Sequence, residues 1–144
     1  MKKISLLGMV VLAVVSCSTT GSLHPLALVV PAEPGLDAMS ASLPGASFRG
    51  TFSEGSEWQV TVEAVTPKTI SVIYGWESAY FPAGWRRKTL SFSGRSFSWE
   101  GAGRIFTFNF SEDGNTLDGS CAVQNTGENF TGSLKRLPKQ IAQK

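Results

Sequence analysis

Acid–base or nucleophilic chemistry needs a group that titrates near neutrality beside a second group that positions it. This chain of 144 residues offers few such groups. Its one histidine, His24, stands before Pro25 with no acidic cluster nearby, so a hydrolytic triad has no base and His24 reads as a solvated residue. Glu112-Asp113 is an adjacent carboxylate pair, but it opens the turn-forming run Glu112-Asp113-Gly114-Asn115, where both groups face water. Cys121 falls on the apolar side of a strand pattern, where a thiol behaves as a small hydrophobe. Metal-ligand spacing is absent, and no glycine-rich loop leads into a helix to cradle phosphate. The chain is therefore expected to be no enzyme, with no metal and no cofactor.

Recognition is the chemistry the residues do suggest. Tyr74, Trp76, Tyr80, Phe81 and Trp85 crowd into one stretch that ends in Arg86-Arg87-Lys88. The pattern reads as a strand running in, an aromatic loop carrying Pro82 and Gly84, and a basic strand running out. Aromatic side chains shown to solvent beside arginines are common anchors of protein and sugar recognition. Trp76, Glu77, Tyr80, Phe81, Trp85, Arg86 and Arg87 are thus the candidate partner-binding set, with Glu77 as a polar contact. The competing reading puts Tyr74 and Trp76 in the core, has the other rings cap a barrel mouth, and makes the basic triplet a solvated strand face.

The N-terminus carries an address. Met1-Lys2-Lys3 is followed by an apolar run from Ile4 to Val15, too short for a permanent membrane span and suited to an export signal. Val14-Val15-Ser16-Cys17 resembles a bacterial lipobox, which implies lipidation of Cys17, removal of residues 1–16 and anchorage in a membrane. Ser18 after the cysteine implies the outer membrane if the cell is Gram-negative. Without Lys2 and Lys3, the 13 basic and 11 acidic residues come into balance, and a neutral domain is a poor match for nucleic acid. With Cys17 acylated, Cys121 has no partner for a disulfide. Residues 17–45 are rich in Ser, Ala, Pro and Gly and read as a flexible tether. The apolar stretch Leu26 to Val30 within it either lies along the barrel wall or forms a short edge strand. Residues 46–137 make the domain, and residues 138–144 a polar tail.

Within the domain the alternation has period two. Phe48, Gly50 and Phe52 share one face, as do Trp58, Val60, Val62 and Ala64, then Ile70, Val72, Tyr74 and Trp76. Leu90 and Phe92, Phe97 and Trp99, and Phe106, Phe108 and Phe110 continue the apolar side, followed by Leu117, Gly119, Cys121 and Val123, and by Phe130, Gly132 and Leu134. About eight strands with short connections predict an all-β fold: a small antiparallel up-and-down barrel, or failing that a two-sheet sandwich. Similar strand lengths and the lack of a long crossover favour the barrel. Gly119 and Gly132 at inward positions relieve crowding around the phenylalanine column or make room for a ligand.

Gly50-Thr51-Phe52 with Arg136 is similar to the closure of calycin barrels, in which a cation from the last strand covers an aromatic of the first; this implies a Phe52–Arg136 pair. Asp113-Gly114 through Gly119 resembles a hairpin of avidin-type barrels. Taken together, Gly50-Thr51-Phe52, Tyr74-Gly75-Trp76, Gly84-Trp85-Arg86, Asp113-Gly114 and Leu134-Lys135-Arg136 resemble a pattern in uncharacterised exported bacterial domains. The expectation is a lipid-anchored, periplasm-facing binding module that holds a protein or glycan through residues 76–88. The alternatives are a carrier of a small apolar ligand, as in lipocalins, and an inhibitor of exported hydrolases.

Overall fold

The computed structural model describes residues 25–78 and 81–139. Eight antiparallel strands form one sheet: β1 (Ser47–Thr51), β2 (Glu57–Val65), β3 (Thr69–Ser78), β4 (Phe81–Ser91), β5 (Ser96–Gly101), β6 (Arg104–Phe110), β7 (Thr116–Val123) and β8 (Asn129–Arg136). Their order is β4-β3-β2-β1-β8-β7-β6-β5. The first and last strands pair at Phe48–Arg136 and Arg49–Lys135, and the two ends of the order, β4 and β5, follow one another in the chain. The result is a nearly closed barrel, as the alternation predicts, with its one unladdered seam in mid-chain. Tyr74 and Trp99 bridge that seam from inside, with ring centroids 4.5 Å apart.

Why these segments are strands is plain from their composition. Aromatic and β-branched residues alternate with small polar ones, and Gly94, Gly103, Gly114 and Gly127 adopt positive φ in the connections. The inward residues meet in the barrel axis. Phe48 packs on Phe110 at 5.4 Å, Phe97 on Phe108 at 5.4 Å, Trp58 on Phe106 at 5.3 Å and Trp99 on Phe106 at 5.1 Å. Each such pair adds about 0.5–1.5 kcal/mol to the gain from burial alone. Gly119 and Gly132 face one another across β7 and β8, and the Phe52 ring rests on both. A Cβ at Gly119 would stand 2.6 Å from Phe52 Cζ, so the glycines are seats for a ring.

Three expectations change. The inward set of β2 runs Trp58, Val60, Val62 and then Val65, because the register slips between Val62 and Ala64 and turns Ala64 away from the core. Residues 25–45, the described part of the stretch read as a tether, lie against the barrel. Leu43 and Ala46 are buried, the short helix α1 (Ala38–Ala41) is capped by Asp37, whose carboxylate accepts from the Ser40 amide at 2.9 Å, and Leu36 and Met39 pack on the core. Together they plug the barrel end at which β1 begins. Arg136 covers Phe48 rather than Phe52, at 6.0 Å from the ring centroid. It also donates to the Ser42 carbonyl at 2.6 Å and the Gly114 carbonyl at 3.2 Å, tying the plug to the β6–β7 turn. Cys17, His24 and residues 140–144 lie outside the described residues.

Candidate binding site at the free edge of the sheet

The stretch read as an aromatic loop is a hairpin of two long strands. β3 continues to Ser78 and β4 starts at Phe81, with Ser78 and Phe81 in register. Pro82 and Gly84 are therefore strand residues. Pro lacks a ladder donor and is tolerated because β4 is an edge strand. Tyr80 lies outside the described residues.

Because successive strand residues face opposite sides, the hairpin divides the expected set between two faces. Trp76 turns inward and is half-buried toward the barrel end opposite the plug, stacked on Trp58 at 5.3 Å and beside Tyr74 at 6.2 Å. Arg86 stands opposite Tyr74 in the ladder and is exposed. Burial pushes the Tyr74 phenol above its ordinary pKa, and the charge of Arg86 opposes part of that rise. Among the described residues Arg86 has no ion pair, so a cation is available beside an aromatic wall.

Trp85, Arg87 and Glu77 belong to the outer face. Trp85 is half-buried and lies flat on Gly75, where a Cβ would come within 2.7 Å of Trp85 Cε3. Only a glycine lets the indole lie so close to the backbone of β3. Glu77 is exposed and stands opposite Glu57, which is itself bound by Arg49 at 2.9 Å. Arg87 is not free for a partner. Its Nε donates to Glu63 Oε2 at 2.9 Å and an η-nitrogen to Glu63 Oε1 at 3.0 Å, and this hydrogen bonding raises its pKa further.

Glu63 is the residue that sequence reasoning missed. It reads as an outward polar position of β2, yet it is only 3% exposed. The segment from Pro25 to Val30 crosses the outer wall above it: the Leu28 amide donates to Glu63 Oε1 at 2.7 Å and the Val30 amide to the Glu63 carbonyl at 2.8 Å. A buried carboxylate needs a cation and donors, and it has both. The signal in the sequence was the odd apolar run at 26–30. The wall-hugging reading of that run holds. Cys121 is buried with its thiol pKa pushed up by burial, in keeping with a packing role.

Concavities also occur away from the hairpin. One of about 840 Å³ lies beside the plug, lined by Gly45, Gln59 and Arg136 among others. Another of about 460 Å³ crosses the outer face of β6–β8 between the rows Thr107, Ser120, Thr131 and Asn109, Asp118, Ser133.

Comparison with protein-family models finds no match, and comparison with curated proteins finds none. Among solved structures the chain is similar to a de novo designed fluorescence-activating β-barrel, at 16% identity over 71% of this chain and 100% of that one, with a TM-score of 0.49. A redesigned β-barrel is similar at 14% identity, over 67% of this chain and 92% of that one, with a TM-score of 0.46.

Proposed function

We propose that this chain is a lipid-anchored binding module of the bacterial envelope. It acts by holding a protein partner along the free edge of β4 and has no catalysis of its own. The observation that carries the reading is the position of β4 at one end of the sheet order, with Trp76 and the exposed Arg86 on one face of the hairpin and Trp85 on the other. A single small ligand does not touch both faces of a sheet. An extended peptide paired with the edge does, because its own side chains alternate across the plane. Pro82 withholds a donor from the upper part of the edge, so pairing runs over residues 84–88. The lipobox-like Val14-Val15-Ser16-Cys17 supports anchorage and an envelope-facing domain. A carrier role is less favoured because aromatic rings touch one another along the barrel axis.

The test is photo-crosslinking in the native cell from residue 85 or 86, with residue 131 on β8, exposed on the opposite wall, as control. A protein adduct from 85 and 86 and none from 131 is expected. Trp85→Ala should weaken that partner's binding by about 2 kcal/mol or more, roughly thirtyfold, with the fold intact. Equal labelling from all three positions, or a glycan adduct in place of a protein, overturns the proposal.

A further inference from the structure

The segment that straps Glu63 is fastened through its backbone, and this decides where its side chains go. Arg87 donates to the Leu26 carbonyl at 3.4 Å, the Leu28 amide donates to Glu63, and the Val30 amide donates to the β2 backbone. Ile73 faces outward in the same cross-strand row as Thr61 and Arg87 and is nevertheless fully buried, as a residue beneath a strap must be. With the backbone turned to the wall, Leu26 is 86% exposed, Leu28 62%, Val29 49% and Val30 52%. A lone exposed leucine is ordinary on a protein surface. Four large aliphatic residues within five positions, held in place from below by an ion pair, form a contact patch.

Chain geometry names what the patch meets. Cys17 precedes Leu26 by nine residues, which span about 30 Å at most even when fully extended. On the lipid-anchor reading above, on which this inference rests, the strap is the part of the described domain nearest in sequence to the acyl chains. A tethered domain meets its membrane at high effective concentration, so even a small apolar patch sets its orientation. We infer that the strap Leu26–Val30 is a bilayer-contact surface, which seats the barrel on the lipid headgroup region with the strapped part of the β2–β3 wall toward the membrane and the edge of β4 left clear.

The experiment uses the full chain, matured in its own cell, with a nitroxide on Leu28→Cys or, in a second preparation, on Thr131→Cys of the opposite wall. Mass spectrometry first establishes the state of Cys17, and the protein is then reconstituted into vesicles of phosphatidylethanolamine and phosphatidylglycerol. Collision of the label with oxygen, relative to a water-soluble nickel chelate, should be several-fold higher at position 28 than at 131. Equal values at the two positions in an acylated, vesicle-bound protein overturn the inference and leave the anchor standing. An unacylated Cys17 overturns the anchor reading and this inference with it. A label at 28 shielded from both reagents, in a protein that sediments as a dimer, assigns the strap to a second copy of the chain and also overturns it.

Discussion

The two walls of this barrel are stabilised from opposite sides. The wall of β2, β3 and β4 is braced from outside: a strap of irregular chain crosses it, fixed by the buried Glu63 and by Arg87. The wall of β7 and β8 is braced from inside, where the Phe52 ring fills the space that Gly119 and Gly132 leave. Its outer surface carries small polar residues and nothing crosses it among the described residues. A sheet that must curve needs close approach on its concave side, which glycines and one ring supply here. A sheet with bulky residues on its inner face curves less readily and gains its extra burial from a cover. The contrast teaches that one small barrel can close by either device, and that the covered wall is the one with residues left over for recognition.

The comparison can be broken most severely from the inside. Phe52→Ala should cost about 3–5 kcal/mol in urea denaturation, because the ring also stacks on Trp58 at 5.1 Å and its loss leaves a cavity. Gly132→Ala should cost about 1–3 kcal/mol by overpacking against the same ring, and pairing it with Phe52→Leu should recover part of that loss. If the two substitutions add independently, the ring is not what the glycine accommodates. Arg87→Met sharpens the other side. It should raise amide exchange at Leu28, Val30 and Ile73 while leaving β6 to β8 unchanged, and Glu63→Leu on top of it should restore part of the protection. Uniform loss of protection over the barrel would mean that the ion pair holds the fold rather than the strap.

The smallest effect concerns pH. Asp113 accepts from the Ser111 hydroxyl at 2.6 Å and the Asn115 amide at 3.0 Å, and these bonds hold its carboxyl below the ordinary value of 3.8. A depressed carboxylate contributes stability that is fully present above its unfolded value and is lost as the pH falls through the folded one. The β6–β7 turn should therefore loosen only below pH 3.8, visible as faster exchange at Asn115, and Asp113→Asn should abolish that dependence.

Most of the fold was legible because one face of each strand is apolar and the other polar, a pattern local to five or nine residues. What it hid depends on partners far away in the chain. Glu63 looks solvated until residues 26–30 are placed over it, 35 positions earlier. The slip at Val62/Ala64 has no turn residue to announce it. The aromatic stretch was visible as a cluster, but Pro82 and Gly84 argued for a loop, and only its place at the sheet edge makes a strand with a proline acceptable. Once it is a strand, Trp76 and Trp85 must part company. Similarly, Arg136 was correctly tied to the first strand, but the register sets it opposite Phe48, four residues before the expected ring.

The mid-chain seam bears on how the barrel assembles. Strands β1 to β4 form one meander of neighbours and β5 to β8 another; they are joined by the short β1–β8 ladder, the Phe52–Gly132 bridge, the turn around Gly94 and the aromatic contacts inside the barrel. Each half makes its hydrogen bonds between adjacent strands, at little cost in loop closure, and the long-range pairing is left for the end. Cleavage at the exposed Gly94 would sever no ladder between strands. The two pieces should then re-form the barrel on mixing, zipped together by the pairing of first strand with last and by the aromatic rings between them.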